Sequence, residues 1–413
     1  MVLSKLPSIG GNFPLTSTTV LRLFNLLQGS KYSPFAVNAV RSLLQLPQVS
    51  FVFETGKQEL LHHIRFSIDY LRRSGLLDAE GNPLNLFGLA AHLYYTEPSN
   101  FALIALMRRG VIHRVCNQAS TEQAKRDFML LMCHIFGRRP LPSIYASESV
   151  RTLLDKSPSK VILSHMPRGA RDVLLQHDRE ILQIFTCYAL AYAGKVGEMH
   201  GTDNRLPLSN LEFKGKPSTS AFRAYLADTH LKVTARSPFV ANSGHGDQFD
   251  TVTELARTCR SGLRLNEHGV PSMERFTLDP DEEKDTLPLN AYLLDFYIHG
   301  QTAALVAANG IRQGELWYLL EDFMLTLKTI RATVEHLLLR TSRGETSGTD
   351  SDTAPNLDGE IEVAGVDYAE VESNDADDEV NRPSGVSDRD WRVFEVVNLV
   401  TQEFEEKFRA MWA

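Results

Sequence analysis

Cysteine is scarce in this chain of 413 residues: four, at 116, 133, 187 and 259, far apart and with no C-x-x-C pair among them. That spacing supplies neither a disulfide framework nor a zinc ligand set, and it suits a reducing compartment. Long apolar runs are missing too. The longest, ILQIFTCYALAYA at 181–193, is too short and too mixed to span a bilayer, so no membrane partner is expected. The start, MVLSKLPSIGGNFPL, has no continuous apolar stretch and no small-residue cleavage site, and does not read as a secretory signal. A cytoplasmic location follows, with the nucleus also open.

The signatures of common chemistries are absent as well. A phosphate-binding loop needs a glycine turn followed by Lys and Ser/Thr. The Gly-Lys pairs here, Gly56-Lys57, Gly194-Lys195 and Gly215-Lys216, continue into Gln58, Val196 and Pro217, with no glycine at the required distance before them. Asp281-Glu282-Glu283 and Asp377-Asp378-Glu379 superficially resemble a magnesium-holding acidic motif, but neither follows an apolar strand, and such runs are ordinarily solvated surface. The thirteen histidines contain no H-E-x-x-H. His62 and His63 are adjacent on a helix and point about 100° apart, the wrong geometry for one ion. His245, in SGHGD, has no nucleophile motif beside it. No catalytic residue, metal or cofactor is assigned, and structural or surface histidine is the better reading.

What is present is an ordinary globular composition, 43% hydrophobic and 23% charged, with length enough for two or three domains. The net charge of −8 is unevenly spread. Residues 341–390 hold 15 acids against three arginines, whereas residues 1–340 hold 37 bases against 32 acids. The body is therefore mildly basic, and residues 341–386 read as a disordered acidic insertion, too polar to offset the entropy of ordering.

Along the body the apolar period is helical. Thr16 and Ser17 can cap a helix carrying Val20, Leu23, Phe24 and Leu27, and Gly29 ends it. Ser33-Pro34 caps a second helix. KQELLHHIRFSIDYLRRSG gives a third, with Leu60, Leu61, Ile64, Ile68 and Leu71 as its stripe and Gly75 as its stop. The short runs Leu76-Leu77 and Leu84-Asn85-Leu86 flank the turn-rich DAEGNP, which completes a winged-helix pattern of three helices and a small hairpin. From Ser99 onward the pattern is almost wholly helical, ending in a long helix whose buried stripe is Leu316, Leu319, Leu320, Phe323, Leu327, Ile330, Val334 and Leu337. Arg312, Glu315, Asp322 and Thr326 fall off that stripe. A C-terminal amphipathic helix follows, with Phe394, Val397, Phe404, Phe408 and Met411 as its face. The expected fold is mainly α. Residues 1–11 are a leader, 12–96 the winged-helix domain, 97–340 a helical bundle, 341–386 the insertion and 387–413 the final helix.

A binding surface is what remains. Lys57, Arg65, Arg72 and Arg73 decorate the third helix, and forked arginine donors suit phosphate. A plain soluble helix surface would look the same. Arg108-Arg109, Arg138-Arg139 and Arg168 with Arg171 are further basic pairs. Trp317, near the start of the long helix, could stack on a base, although an aromatic there is more often core.

Three stretches carry a resemblance: GNFPLTSTTVLRLFNLLQGSKYSPFAVNAVRSLL, HHIRFSIDYLRRSGLL and NLFGLAAHLYYTEPSNFALIALMRRGVIHRVC. They resemble the region beyond the second RecA-like domain in DExD/H-box protein 60-like RNA helicases of superfamily 2, relatives of the superkiller-type helicases. DNRLPLSNLEF and LLDFYIHGQTAALVAANGIRQGELWYLLEDFMLTLKTI are similar to later segments. The resemblance implies that the long helix is a ratchet helix touching single-stranded RNA. Arg312, Gln313, Glu315 and Trp317 are then candidate contacts, and Asp322 orients a neighbour. It implies also that the two ATPase lobes, with their ATP and magnesium, are missing from this sequence. The expected function is the C-terminal accessory part of an RNA helicase that binds and guides single-stranded RNA without ATPase motifs of its own, with RecA-like lobes as partners. The alternative is a protein-interaction scaffold with a degenerate nucleic-acid surface.

Overall fold

The computed structural model describes residues 17–45, 54–84, 86–139, 141, 143–200, 288–342 and 382–411. Thr16, His245, Cys259, both acidic triplets and almost all of the acidic insertion lie outside them.

Local rules place the first helices. Helix α1 (Ser17–Gly29) buries Val20 and Leu21. Its first turn is capped from a distance, the Thr18 amide donating to Glu97 Oε2 at 3.1 Å. Helix α2 (Pro34–Leu44) has proline at its start, and the Ser33 hydroxyl accepts the Ala36 amide at 3.3 Å. Helix α3 (Glu54–Arg73) packs on α1 on one side and on the long α9 (Arg168–His200) on another. Contact on two sides rotates its buried face away from the aliphatic stripe: His62, Phe66, Ser67, Tyr70 and Leu71 are buried, while Ile64 and Ile68 are only partly so. The hairpin shrinks to one isolated bridge, Leu77 to Pro83, with the Leu84 amide on the Leu76 carbonyl at 2.9 Å. No strand forms among the described residues, and the described fold is mainly helical.

Short helices α4 (Phe87–His92), α5 (Ser99–Arg108) and α6 (Val111–Cys116) lead into α7 (Thr121–Phe136) and α8 (Glu148–Leu154). The fully buried Asn100 ties α1, α4 and α5 together, its amide nitrogen donating to Thr18 Oγ1 and to the Ala90 carbonyl, both at 2.9 Å. After residue 288 come α10 (Tyr292–His299), α11 (Thr302–Ala307), α12 (Gln313–Ser342) and α13 (Asp388–Ala410).

Helices α12 and α13 lie antiparallel, Trp317 facing Phe408 and Phe323 facing Phe404. The α13 face is Phe394, Val397, Phe404 and Phe408, all buried, with Met411 partly covered. In α12 the buried stripe is Leu316, Leu320, Phe323, Leu327, Ile330, Val334 and Leu338, and Leu338 takes the place expected for Leu337. Thr326 is buried on this stripe as well, because its hydroxyl is satisfied by the Asp322 carbonyl at 2.8 Å and the Tyr95 phenol at 3.3 Å.

The stretch 158–163 is stitched to 288–291 by backbone and amide hydrogen bonds. Leu163 and Ala291 amides reach Leu289 and Val161 carbonyls, both at 2.8 Å. Asn290 donates to the Asn309 carbonyl at 2.7 Å, and Asn309 to the Lys160 carbonyl at 2.9 Å. Gly137 sits where α7 meets α10, and a Cβ there would stand 2.5 Å from Leu293 Cδ1 and 3.0 Å from the Cys133 carbonyl oxygen. Gly137→Ala is expected to destabilise by about 1–3 kcal/mol through overpacking. A denaturation midpoint equal to that of the native chain would show that the two helices part without cost.

Candidate nucleic-acid interface

The sequence-derived contacts fall into two groups on different supports. The first lies along α3. Arg65, Arg72 and Arg73 are exposed, and the side chain of Lys57, in the first turn, lies outside the described residues. Arg73 is engaged: its Nε reaches both Asp69 carboxylate oxygens at 3.1 Å. Arg72 is exposed and makes no hydrogen bond or ion pair among the described residues.

The second group gathers where α12 begins, over α13 and α4. Arg312 precedes the helix and lies 4.0 Å from Glu315 Oε1. The other Glu315 oxygen accepts from Arg139 Nη2 at 2.8 Å, with both side chains largely buried. Glu315 therefore anchors the helix start to the 137–141 segment and holds Arg312 at its edge. Gln313 is exposed.

Trp317 and Tyr318 divide the roles that sequence gave to Trp317 alone. The indole is partly buried against Phe408, with 6.5 Å between ring centroids, and meets the Tyr318 ring edge-on at 5.1 Å. Tyr318 is 63% exposed. The exposed face of Tyr318 is open to stack on another ring. Neighbouring residues point about 100° apart on a helix, so one of two adjacent aromatics must face outward when the other packs. The neighbouring aromatic pair was the signal. Asp322 follows one turn on, exposed, and the Tyr95 phenol lies across Thr326 beside it.

Residues 9–91 match the DDX60-like winged helix domain family. The chain carries a DDX60-like winged helix domain. The similarity continues beyond that domain. A human protein named probable ATP-dependent RNA helicase DDX60-like is 29% identical over 351 residues, covering 82% of this chain and 20% of its own length. An uncharacterized helicase of Dictyostelium discoideum is 29% identical over 271 residues, 64% of this chain and 14% of that protein. One of Caenorhabditis elegans is 21% identical over 357 residues, 82% of this chain and 18% of that protein. The chain thus spans about a fifth of the length of these relatives. No solved structure matches it. The DDX60-like winged helix domain accounts for α1 to α3 and the bridge after them, and places the α3 arginines on a module of helicase relatives. No helix among the described residues is long and apolar enough to cross a membrane.

Proposed function

We propose that this chain is an accessory part of a helicase related to the DDX60-like proteins, and that it binds and guides single-stranded RNA without turning over ATP itself. The observation that carries the reading is the similarity over 82% of the chain to a protein named as an RNA helicase, of which it matches only 20%. The surface agrees with it. Basic side chains stand exposed on α3, and Arg312, Gln313 and Tyr318 are all exposed within the first two turns of α12 and the residue before it. RecA-like lobes would be the partner that supplies ATP, magnesium and movement.

The test is a titration of the purified chain against a labelled single-stranded uridine oligonucleotide, followed by fluorescence anisotropy. Binding is expected to weaken steeply between 50 and 200 mM salt, because phosphate contacts release counterions. Replacing Arg65, Arg72, Arg73 and Arg312 together by Gln is expected to lower affinity at least tenfold, since charge-assisted hydrogen bonds contribute about 1.5–3 kcal/mol each. RNA-stimulated ATP hydrolysis by the pure chain, or no binding at low salt, would overturn the reading.

A protein-docking role has one observation in its favour. Phe35, on α2, is 83% exposed, with Tyr32 49% and Leu26 46% exposed nearby in sequence, the kind of apolar surface that partners cover. RNA affinity unchanged in the four-arginine variant would favour this second reading.

A further inference from the structure

Three helix ends meet in space and bring arginines together that the sequence scatters. Arg108, the last residue of α5, donates through Nη1 to the Arg73 carbonyl at the end of α3, at 3.3 Å. Gly75 makes room for it: φ is +64°, and a Cβ at that position would stand 2.9 Å from Arg108 Nη2. Arg109, next along, turns toward α9, with Nη2 3.6 Å from Glu180 and both side chains more than half exposed, at 55% and 54%. Arg114, on α6, folds back to donate to the Arg109 carbonyl at 3.1 Å. With Arg73 this forms a ridge of four arginines touched by two carboxylates, Asp69 and Glu180. Arg108 and Arg114 are held by backbone carbonyls and reach no carboxylate among the described residues.

Gathering like charges without matching acids carries a repulsive cost that a bound polyanion removes. The fork of each guanidinium keeps donors free after its carbonyl bond, and its geometry matches phosphate oxygens. What the ridge lacks identifies the ligand further. Among the described residues, none of the large exposed hydrophobic side chains lies on α3, α5 or α6. A protein partner's footprint has an aromatic or aliphatic centre, whereas a phosphate track needs none.

We infer that Arg108, Arg109 and Arg114, adjoining the end of α3 at Arg73, form a second nucleic-acid site that grips the sugar-phosphate backbone without reading bases. This rests on the RNA-binding reading above, and it adds a contact that neither the α3 face nor the start of α12 supplies. Holding Arg108 and Arg114 in place by backbone bonds lowers the entropy lost when the strand arrives.

The test compares the full chain with R109Q/R114Q, and with R41Q/R126Q as a control of equal charge change at exposed positions of α2 and α7, each checked for an unchanged thermal melt. The probe is a labelled 12-nucleotide single-stranded oligouridine. In R109Q/R114Q the slope of log K against log salt is expected to fall by about 1.4, two contacts at about 0.7 each on a single strand. Affinity is expected to drop tenfold or more at low salt, and the control to stay within twofold. Should R109Q/R114Q bind the oligonucleotide with the native affinity and slope, the ridge is not a site, while the RNA reading stands. A native chain that does not bind at all removes both. Poly-glutamate of matched charge bound as tightly as the oligonucleotide, and lost in R109Q/R114Q, would make the ridge a surface for acidic protein and overturn the assignment to phosphate.

Discussion

Acidification from pH 7.5 to 5 is expected to remove on the order of 6 kcal/mol of folding stability through three histidines alone. Burial lowers His62, His134 and His177 to about 4, from the ordinary 6.5. His62 packs edge-on against Phe185 at 5.6 Å on the buried side of α3. His134 lies 2.8 Å from the Ser164 carbonyl, with Arg138 and His165 adding to the effect of burial. A group depressed in the folded state binds fewer protons there than when unfolded. Its stabilisation is complete above pH 6.5 and is lost as pH falls toward 4. Each ring contributes about 2 kcal/mol of that loss at pH 5, against a total stability of about 5–15 kcal/mol for a typical domain. Urea midpoints measured at both pH values check this, and H134Q should flatten the dependence by about one third. A midpoint unchanged between pH 7.5 and 5 would mean that these rings are hydrated and titrate normally.

The second large effect is expected at Phe404. Its ring is fully buried and lies 5.2 Å from both Phe296 of α10 and Phe323 of α12, so it joins three helices at one point. Phe404→Ala should cost about 3–5 kcal/mol, the transfer of an aromatic ring plus the cavity left behind. Phe404→Leu, which refills most of the volume, should recover more than half. Chemical denaturation of the two variants beside the native chain measures both numbers. A loss below about 1 kcal/mol for the alanine variant would mean that α13 docks by its charged contacts instead, chiefly Glu403 with Lys125 at 2.5 Å and Glu405 with Lys328 at 2.7 Å.

Phe404 also shows what the sequence makes legible. Its helix is amphipathic along one stripe and begins at Ser387, whose hydroxyl accepts the Asp390 amide at 3.1 Å, so period and cap together give both face and start. The same signals place α2, whose cap is Ser33, and period alone places most of α12. They fail at α3, because a helix packed by α1 and by α9 has no single apolar face, and the ring of Tyr70 outweighs the aliphatic stripe. They fail at Thr326, whose burial depends on Tyr95, more than two hundred residues earlier in the chain. Trp317 and Tyr318 are equivalent by spacing, and only Phe408 on another helix decides which ring is covered. The sequence shows Arg108-Arg109 as a pair but not that Arg73 and Arg114 meet it, because these residues share helix ends and not a period.

The bonds between 158–163 and 288–291 bear on how the chain is held in one piece. Leu163 to Leu289, Ala291 to Val161 and, by way of Asn309, Asn290 to Lys160 fix the register of two stretches that stand far apart in the sequence. Main-chain groups carry two of these contacts, so a change of side chain at Val161, Leu163, Leu289 or Ala291 leaves donor and acceptor in place, and the seam is sensitive instead to proline at 163 or 291, which removes the donating amide.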